Sequence, residues 1–253
     1  MAQQRRIAVV GAGLAGLAAA LELKESGARV ELFERSRLLG GRATSFEIDG
    51  HEVDNGQHVF LACCTAFIDF AQRVGMAHEL YVQDRFDALV LSRDGRTGRL
   101  VAGSLPAPFH LTGSFAVYPF LGLVDKIRIA RSLLSPRARR GANETFNIWL
   151  ERHNQSPATR RAFWDPFFIP ALNAPFDRVS SEDAMFVLTN AFVKDAGAAR
   201  FGFSKVPLAH LAAAAAKMLD AVHLSTAITS VTRDEAGVTL HLLDGTTRTF
   251  DAA

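Results

Sequence analysis

Residues 6–16 read RIAVVGAGLAG, an apolar run that passes directly into three closely spaced glycines. The run Arg6–Val10 predicts a short buried strand of a parallel sheet. The next residues, Leu14–Ser26, are good helix formers and end at Gly27, and Arg29–Phe33 predicts a second strand. Strand, glycine turn, helix and strand together predict one βαβ unit with a right-handed crossover.

The glycines of this turn have the spacing that dinucleotide binding requires. Gly11 permits a tight turn out of the strand, and Gly13 lets a pyrophosphate approach the backbone. Gly16 allows the helix and the strand to pack closely. Leu14 and Ala15 begin the helix, where unpaired N–H groups and the positive end of the helix dipole can face the phosphates.

Glu34 lies just past the second predicted strand. A carboxylate at this place can accept hydrogen bonds from both ribose hydroxyls of an adenosine, which a glycine turn kept only for packing does not explain. Glu34 also argues against a 2′-phosphate, because two anions repel each other. The adjacent Arg35 weakens that argument and is itself a candidate for contact with the cofactor.

A Gly-Gly-Arg sequence, residues 40–42, follows Glu34 after a short spacer. This pattern resembles the FAD-containing amine oxidase and phytoene desaturase superfamily. The resemblance implies that FAD is the cofactor, that Gly41 passes close to it and that Arg42 lies near its phosphates. Arg42 also suits bidentate phosphate binding on chemical grounds, with a solvated loop arginine as the alternative.

Three later segments narrow the resemblance. They are residues 54–65 (DNGQHVFLACCT), residues 105–111 (LPAPFHL) and residues 164–173 (WDPFFIPALN). They resemble the squalene-associated FAD-dependent desaturases, the hydroxysqualene dehydroxylases of hopanoid biosynthesis. The resemblance implies reduction of hydroxysqualene, an allylic alcohol, to squalene, which needs a hydride from the reduced flavin N5 and an acid that helps hydroxide to leave.

The same resemblance assigns further cofactor contacts. It implies that Gly56, Gln57 and His58 run beneath the flavin. It also implies that Ile228 lies in a strand whose backbone contacts the adenine. An ordinary inward-facing strand residue is an equally good interpretation of Ile228.

The proton donor is a separate question. His58 is the first candidate, because it is the only side chain near the expected flavin with an unperturbed pKa close to neutrality. Asp54 is the second candidate, although it can instead hold the loop by accepting backbone N–H groups. For His110, a third candidate, we favour a solvated loop histidine.

The middle of the chain, from Leu105 to about Gly197, predicts helices, with starts at Thr145, Ser156 and Ser180. It is rich in aromatic residues that could line a pocket for an apolar isoprenoid, although for any single one a core position is the better interpretation. These residues are Phe109, Phe115, Phe120, Phe163, Trp164, Phe167, Phe168 and Phe176.

The predicted fold class is α/β, with a Rossmann-like FAD-binding βαβ unit, a mostly helical substrate-domain insertion and additional β-hairpins. We expect the first part of the FAD-binding domain at residues 1–85 and the substrate domain at 86–203. Residues 204–253 return to the FAD-binding domain and begin with an alanine-rich helix over Leu208–Val222.

Proteins of the resembled family are considerably longer. Their C-terminal part supplies a Gly-Asp segment that holds the ribityl and pyrophosphate region of the flavin. This chain has 253 residues and no such segment, and residues 248–253 resemble the approach to another strand. We therefore expect either a piece of a longer protein or a chain whose partner supplies the C-terminal half, so that the isolated chain purifies with little flavin.

The composition, with 49% hydrophobic and 21% charged residues, is ordinary for a globular protein. A net charge of +2 gives no strong field for nucleic acid. The adjacent Cys63 and Cys64 rarely form a bridge and lack the partners of a metal site, so we expect no metal and a reducing compartment. No segment is long and apolar enough to span a membrane, and the predicted location is cytoplasmic.

A basic, partly amphipathic region covers residues 125–131 (DKIRIAR), and arginines follow at positions 137, 139 and 140. This region favours either peripheral contact with the inner face of the cytoplasmic membrane or a solvated helix face, and the two interpretations are equally good.

Three functional classes stay open from the sequence. The first is a flavoenzyme that reduces hydroxysqualene. The second is a carotenoid or phytoene desaturase or an amine oxidase of the same superfamily, against which residues 105–111 and 164–173 argue. The third is a nucleotide-binding fragment without catalytic activity.

Overall fold

The structure is a computed structural model that describes residues 4–56, 58–134, 144–235 and 237–253. The chain divides into two compact units. The first unit comprises the described parts of Met1–Phe60, Cys64–Tyr81 and Phe203–Ala253, and the second comprises those of Leu61–Cys63 and Val82–Gly202. The assignment of a cofactor role to one unit and a substrate role to the other stays a prediction.

Strands predominate towards both ends of the described chain, and most of the helices lie in its middle. The strands are β1 Arg6–Val10, β2 Arg29–Phe33, β3 Ser45–Ile48, β4 His51–Asp54, β5 Val59–Leu61, β6 Leu80–Val82, β7 Asp87–Leu91, β8 Thr97–Val101, β9 Phe201–Ser204, β10 Ala221–His223, β11 Ile228–Asp234, β12 Gly237–Leu242 and β13 Thr247–Phe250. The helices are α1 Leu14–Glu25, α2 Thr65–Arg73, α3 Thr112–Ala116, α4 Leu123–Leu134, α5 Phe146–Arg152, α6 Pro157–Thr159, α7 Asp165–Leu172, α8 Ser181–Leu188 and α9 Ala209–Lys217.

A parallel sheet of order β1–β2–β10 forms the centre of the first unit. On the far side of β1, the backbone N–H of Ala8 donates to the carbonyl of Ala252 at 3.0 Å, and Ile7 and Ala252 form a parallel bridge. The residues around Ala252 therefore pair with β1 as a further parallel strand would. The order β1–α1–β2 confirms the predicted βαβ unit.

Successive side chains of β2 point to opposite faces of the sheet, and both faces are packed. Val30 and Leu32 pack against Leu17 of α1 and Leu211 of α9 on one face. Phe33 packs on the other face with the antiparallel sheet of order β11–β12–β13. The sheet is therefore covered by helices on one side and by a second sheet on the other.

The predicted helix over Leu208–Val222 is too long. Helix α9 ends at Lys217, and residues 221–223 form β10, which pairs in parallel with β2. Asp220 lies between the two elements, where its carboxylate accepts the backbone N–H of Val30 at 3.1 Å. Pairing with a distant strand has here outweighed the helix preference of a local alanine-rich sequence.

The second unit has an aromatic core. It includes Phe86, Phe146, Trp149 and Trp164, each of which is fully buried. Trp164 donates its indole N–H to the side-chain oxygen of Gln155 at 3.0 Å, so this buried polar group is satisfied.

Three predicted helix starts of the second unit are confirmed. The hydroxyl oxygens of Thr145, Ser156 and Ser180 each accept the backbone N–H of the residue three positions later. Each bond satisfies one of the free donors that begin a helix.

A charged cluster joins the parallel sheet to β13. The carboxylate of Glu31 lies 3.2 Å from Arg6, 3.1 Å from the ring of His223 and 3.5 Å from Arg248. Burial alone would raise the pKa of Glu31, but hydrogen bonds from His223 and Arg6 lower it below the ordinary value. The charged form of Glu31 is therefore favoured by folding.

This cluster predicts a pH dependence of stability. Because the pKa of Glu31 is lower in the folded state, its stabilising contribution is present above the unfolded-state pKa and is lost as the pH falls through the folded-state value. We expect acidification from neutrality to reduce the free energy of unfolding of the wild type more than that of Glu31→Gln. Urea titrations at a series of pH values measure this, with the exposed Glu47→Gln as the control. Equal losses in Glu31→Gln and the wild type would contradict the assignment.

Candidate cofactor site

The glycine turn between β1 and α1 leaves open space in front of its backbone. Gly11 has a φ of +104°, which favours glycine, and its N–H donates to the carbonyl of Phe33 at 2.7 Å. Gly13 precedes α1 with φ −68° and ψ 166°, and no side chain caps the helix there. A Cβ atom on Gly11 or Gly13 would meet no atom within 4 Å, so a ligand can approach both.

Gly16 serves packing instead. A Cβ atom on Gly16 would lie 2.0 Å from the carbonyl oxygen of Gly11, which leaves no room for any side chain. This close contact fixes the start of α1, Leu14 and Ala15, next to the open turn. The free N–H groups and the positive dipole end of the helix therefore face the open space, as phosphate binding requires.

Glu34 reaches back to the turn from the end of β2. One carboxylate oxygen accepts the backbone N–H of Ala12 at 2.7 Å, and the other accepts the N–H of Ser36 at 2.8 Å. The carboxylate therefore lies beside the open turn, at the place where a ribose would follow a diphosphate.

The Gly-Gly-Arg loop packs directly on the turn. The N–H of Gly40 donates to the carbonyl of Ala12 at 2.8 Å, and a Cβ atom on Gly41 would lie 3.1 Å from the Cα of Gly13. This contact brings Arg42 to the rim of the site, where it is exposed and has no hydrogen-bond or ion-pair partner within the described ranges. Arg35 is also exposed. Arg42 is thus available to a phosphate.

Asp54 makes structural contacts. One of its carboxylate oxygens accepts the hydroxyl of Ser45 at 2.6 Å and the backbone N–H of Leu208 at 3.0 Å. The hydroxyl oxygen of Ser45 in turn accepts the N–H of Ala209 at 3.1 Å. Asp54 and Ser45 together hold the start of α9, which favours the loop-holding interpretation of Asp54 over the catalytic one. The role of Ser45 could not be predicted, because nothing near it in the chain indicates a partner in α9.

The segment expected beneath the flavin is only partly described. The ring of His58 is half-buried and lies 3.0 Å from the side-chain oxygen of Asn55, and Gly56 is exposed. Gln57 lies outside the described residues. Ile228, at the start of β11, packs against the core between the two sheets, so the ordinary strand interpretation accounts for its side chain. The proposed contacts of these residues with the cofactor stay predictions.

His110 differs from the solvated residue that we expected. Its side chain is 1% exposed, and neither ring nitrogen has a hydrogen-bond partner in the part of the chain that the structure describes. Burial lowers the pKa of His110, and the opposing effect of Asp195 is smaller. The imidazole is therefore held in the neutral form. In the sequence, Pro106 and Pro108 indicate a turn beside His110, but they do not indicate whether other residues bury that turn.

The second unit contains an apolar cavity of about 210 Å³. Of the eight aromatic residues predicted to form a pocket, Phe109, Phe115, Phe163, Phe167 and Phe168 line it. The other three do not: Trp164 and Phe176 are buried in the core, and Phe120 packs on Tyr118. The remaining lining residues are Phe86, Leu100, Pro108, Leu111, Thr112, Ile129, Ala130, Leu133, Leu188, Phe192 and Val193.

No group of three or more His, Cys, Asp or Glu residues that could hold a metal ion occurs in residues 4–56, 58–134, 144–235 and 237–253. In the same ranges, no helix is both long enough and apolar enough to cross a membrane. Cys63 and Cys64 form no disulfide.

Comparison with known proteins agrees with this geometry. The sequence profile described as "Flavin containing amine oxidoreductase" matches residues 14–253. The chain belongs to this family. FAD is accordingly its cofactor, and the open glycine turn, the carboxylate of Glu34 and the exposed Arg42 fit the diphosphate and the ribose of FAD.

Relatives within the amine oxidoreductase family have more than one activity in their names. A zeta-carotene desaturase of Synechocystis sp. is 30% identical over 177 residues, which cover 64% of this chain and 36% of the relative. A hydroxysqualene dehydroxylase of Zymomonas mobilis is 30% identical over 175 residues, which cover 66% of this chain and 39% of the relative. The matched region therefore spans well under half of the length of these relatives.

Solved structures show the same fold. A putrescine oxidase superposes with a TM-score of 0.69 at 22% identity, and the match covers 98% of this chain and 57% of the other. A fatty acid isomerase from P. acnes superposes with a TM-score of 0.61 at 18% identity over 99% and 58%. The α/β FAD-binding fold predicted from the sequence is confirmed.

Two glycine variants should separate packing from cofactor binding. Gly16→Ala places a methyl group against the backbone of Gly11, and we expect it to lower the free energy of unfolding by about 1–3 kcal/mol. Gly13→Ala meets no protein atom and should leave stability within about 0.5 kcal/mol, but its methyl group would occupy the space of the pyrophosphate. Urea unfolding and calorimetric titration with ADP measure both effects. A loss of stability in Gly13→Ala equal to that in Gly16→Ala would contradict the assignment.

Glu34→Ala should weaken ADP binding about thirtyfold, which corresponds to the loss of about 2 kcal/mol of charge-assisted hydrogen bonding to the ribose. The measurement is the same titration, with the exposed Glu47→Ala as the control. Circular dichroism would establish that the turn, which Glu34 also contacts through Ala12, stays folded. An unchanged affinity for ADP would show that the ribose contact is misassigned.

Proposed function

We propose that this protein is an FAD-dependent oxidoreductase that reduces hydroxysqualene to squalene in isoprenoid (hopanoid) biosynthesis. In this proposal the first unit holds FAD and the second binds the substrate. The observation that carries the proposal is the apolar cavity of the second unit. Two of the segments that resemble the hydroxysqualene dehydroxylases line it, through Pro108, Phe109 and Leu111 and through Phe167 and Phe168.

The lining of the cavity argues against an amine as substrate. None of its lining residues carries a charge, and Thr112 is the one member with a polar side chain. An ammonium group would lose its hydration there without gaining a partner, at a cost of several kcal/mol. An isoprenoid chain buries apolar surface against the same walls, and this stabilises the complex by roughly 25 cal/mol per Å².

A second candidate is desaturation of a carotene. The match to the zeta-carotene desaturase of Synechocystis sp. is as strong in identity as the match to the hydroxysqualene dehydroxylase of Zymomonas mobilis. Both names denote apolar isoprenoid substrates, which the cavity suits equally. Residues 105–111 and 164–173, which resemble the hydroxysqualene dehydroxylases, favour hydroxysqualene.

The chemistry requires a C–O bond to break and a C–H bond to form, with release of water. FAD, when bound and reduced, supplies the hydride. The chain must bind the hydrocarbon, exclude water and deliver a proton to the departing hydroxyl. His58 is the proposed donor, with Asn55 orienting its ring through the 3.0 Å contact. Asp54 acts in this proposal as a positioning residue that holds the start of α9.

The test compares three substrates on the protein in the presence of excess FAD. We expect the dithionite-reduced protein to convert detergent-dispersed hydroxysqualene to squalene, as measured by mass spectrometry. Neither zeta-carotene nor putrescine should be consumed by the oxidised protein. Consumption of zeta-carotene with no squalene formed would establish the second candidate instead, and consumption of putrescine would contradict both.

A variant of the cavity tests the role of its walls. Ala130 lines the cavity but is exposed, so Ala130→Phe can narrow the space without overpacking the core. We expect conversion of hydroxysqualene at low substrate to fall about tenfold, with stability changed by less than about 0.5 kcal/mol. The matched control is Ala116→Phe on α3, at an exposed residue that is not among those lining the cavity. Equal activity of the two variants would mean that the substrate binds elsewhere.

A further inference from the structure

Helix α4 presents an apolar face to solvent. Successive residues of a helix are about 100° apart, so Leu123, Val124, Ile127 and Ala130 lie on one side. The first three are 74%, 59% and 50% exposed, and Ala130 is also exposed. Ile129, one of the residues on the opposite side, is buried in the core. This pattern is the reverse of an ordinary surface helix, whose exposed side is polar.

Two cations lie on the same exposed side. Arg128 and Arg131 are both exposed, and Arg128 has a single distant carboxylate, that of Asp125, at 4.0 Å. Arg131 has no ion-pair partner in the described part of the chain. An exposed apolar strip with exposed arginines on the same side is typical of a helix that lies in the plane of an anionic membrane surface. The arginines at positions 137, 139 and 140 lie outside the described residues and form no part of this surface.

The apolar face is continuous with the cavity. Ile129, Ala130 and Leu133 of α4 line the cavity, and Ala130 is at the same time exposed on the face of the helix. Phe109 also lines the cavity and is 53% exposed. The mouth of the cavity therefore borders the exposed side of α4.

We propose that this face of α4, defined by Leu123, Val124, Ile127, Arg128 and Arg131, docks onto an anionic lipid surface. The apolar side chains enter the boundary between headgroups and acyl chains, and the arginines contact lipid phosphates. The twelve residues of the helix extend about 18 Å, too short to cross a bilayer, so the helix lies in the interface. An apolar ligand can then pass between the bilayer and the cavity without crossing water.

Charge favours lipid over a second copy of the chain as the occupant. In a two-fold dimer the same patch meets itself, so the arginines of both copies would be brought together around an apolar centre. Like charges at such an interface repel each other, whereas anionic lipid neutralises them. The inference goes beyond the proposed function and is independent of it, because docking needs neither flavin nor substrate.

The test is co-sedimentation of the full chain with vesicles, in low salt and without added flavin. We expect binding to mixed phosphatidylcholine and phosphatidylglycerol vesicles and little binding to phosphatidylcholine alone. Arg128→Gln with Arg131→Gln should weaken binding to the anionic vesicles roughly thirtyfold, since each basic residue near such a surface contributes about a fivefold factor.

The apolar contribution has a matched control in the same unit. Leu123→Gln with Ile127→Gln should weaken binding at least about tenfold. Leu89→Gln with Leu91→Gln, at residues 68% and 70% exposed on β7, should leave binding unchanged. Thermal unfolding of each variant would establish that the fold is retained.

Three results would overturn the inference. The first is a wild-type chain that does not bind anionic vesicles at low salt. The second is an equal loss of binding in the β7 control. The third is a concentration-dependent dimer, seen by sedimentation velocity, that Leu123→Gln with Ile127→Gln abolishes while vesicle binding is absent. The last result would assign the face to a second copy of the chain.

Discussion

Close backbone contact at the glycine turn is the constraint on which the cofactor site depends. The carbonyl of Gly11 lies where a side chain of Gly16 would be, and Gly41 lies against Gly13. Because no side chain fits between these segments, the strand, the helix and the second loop converge on one small volume. Glu34 completes the arrangement through its hydrogen bond to Ala12. The open side of the turn is then bordered by N–H groups, a carboxylate and an exposed arginine, which are the groups that an adenine dinucleotide requires.

Much of this arrangement could be predicted because its causes are local in the chain. Strands β1 and β2 have the predicted bounds, since a short apolar run, a glycine turn and a helix former follow one another within a single βαβ unit. The helix starts at Thr145 and Ser180 were predictable for the same reason, because a capping side chain bonds a backbone N–H only three residues away.

Features set by distant partners could not be predicted. Asp54 bonds a residue 154 positions away, and β10 exists because it pairs with β2, against the preference of its alanine-rich surroundings. His110 was expected in solvent and is buried, since burial depends on what packs over a loop. The sequence predicted a pocket for the aromatic residues only as a set. Phe167 lines the cavity and Trp164 is buried in the core, a difference that depends on packing between distant parts of the chain.

The two ligand-binding features follow from different physics. The glycine turn recognises a diphosphate through backbone dipoles and charge, whereas the cavity binds by burial of apolar surface. A crystal structure of the chain with ADP is the sharpest test of nucleotide binding at the glycine turn. We expect the diphosphate to lie against the N–H groups at the start of α1 and both ribose hydroxyls to donate to the carboxylate of Glu34. Density for ADP elsewhere, or a ribose that leaves Glu34 uncontacted, would contradict this expectation.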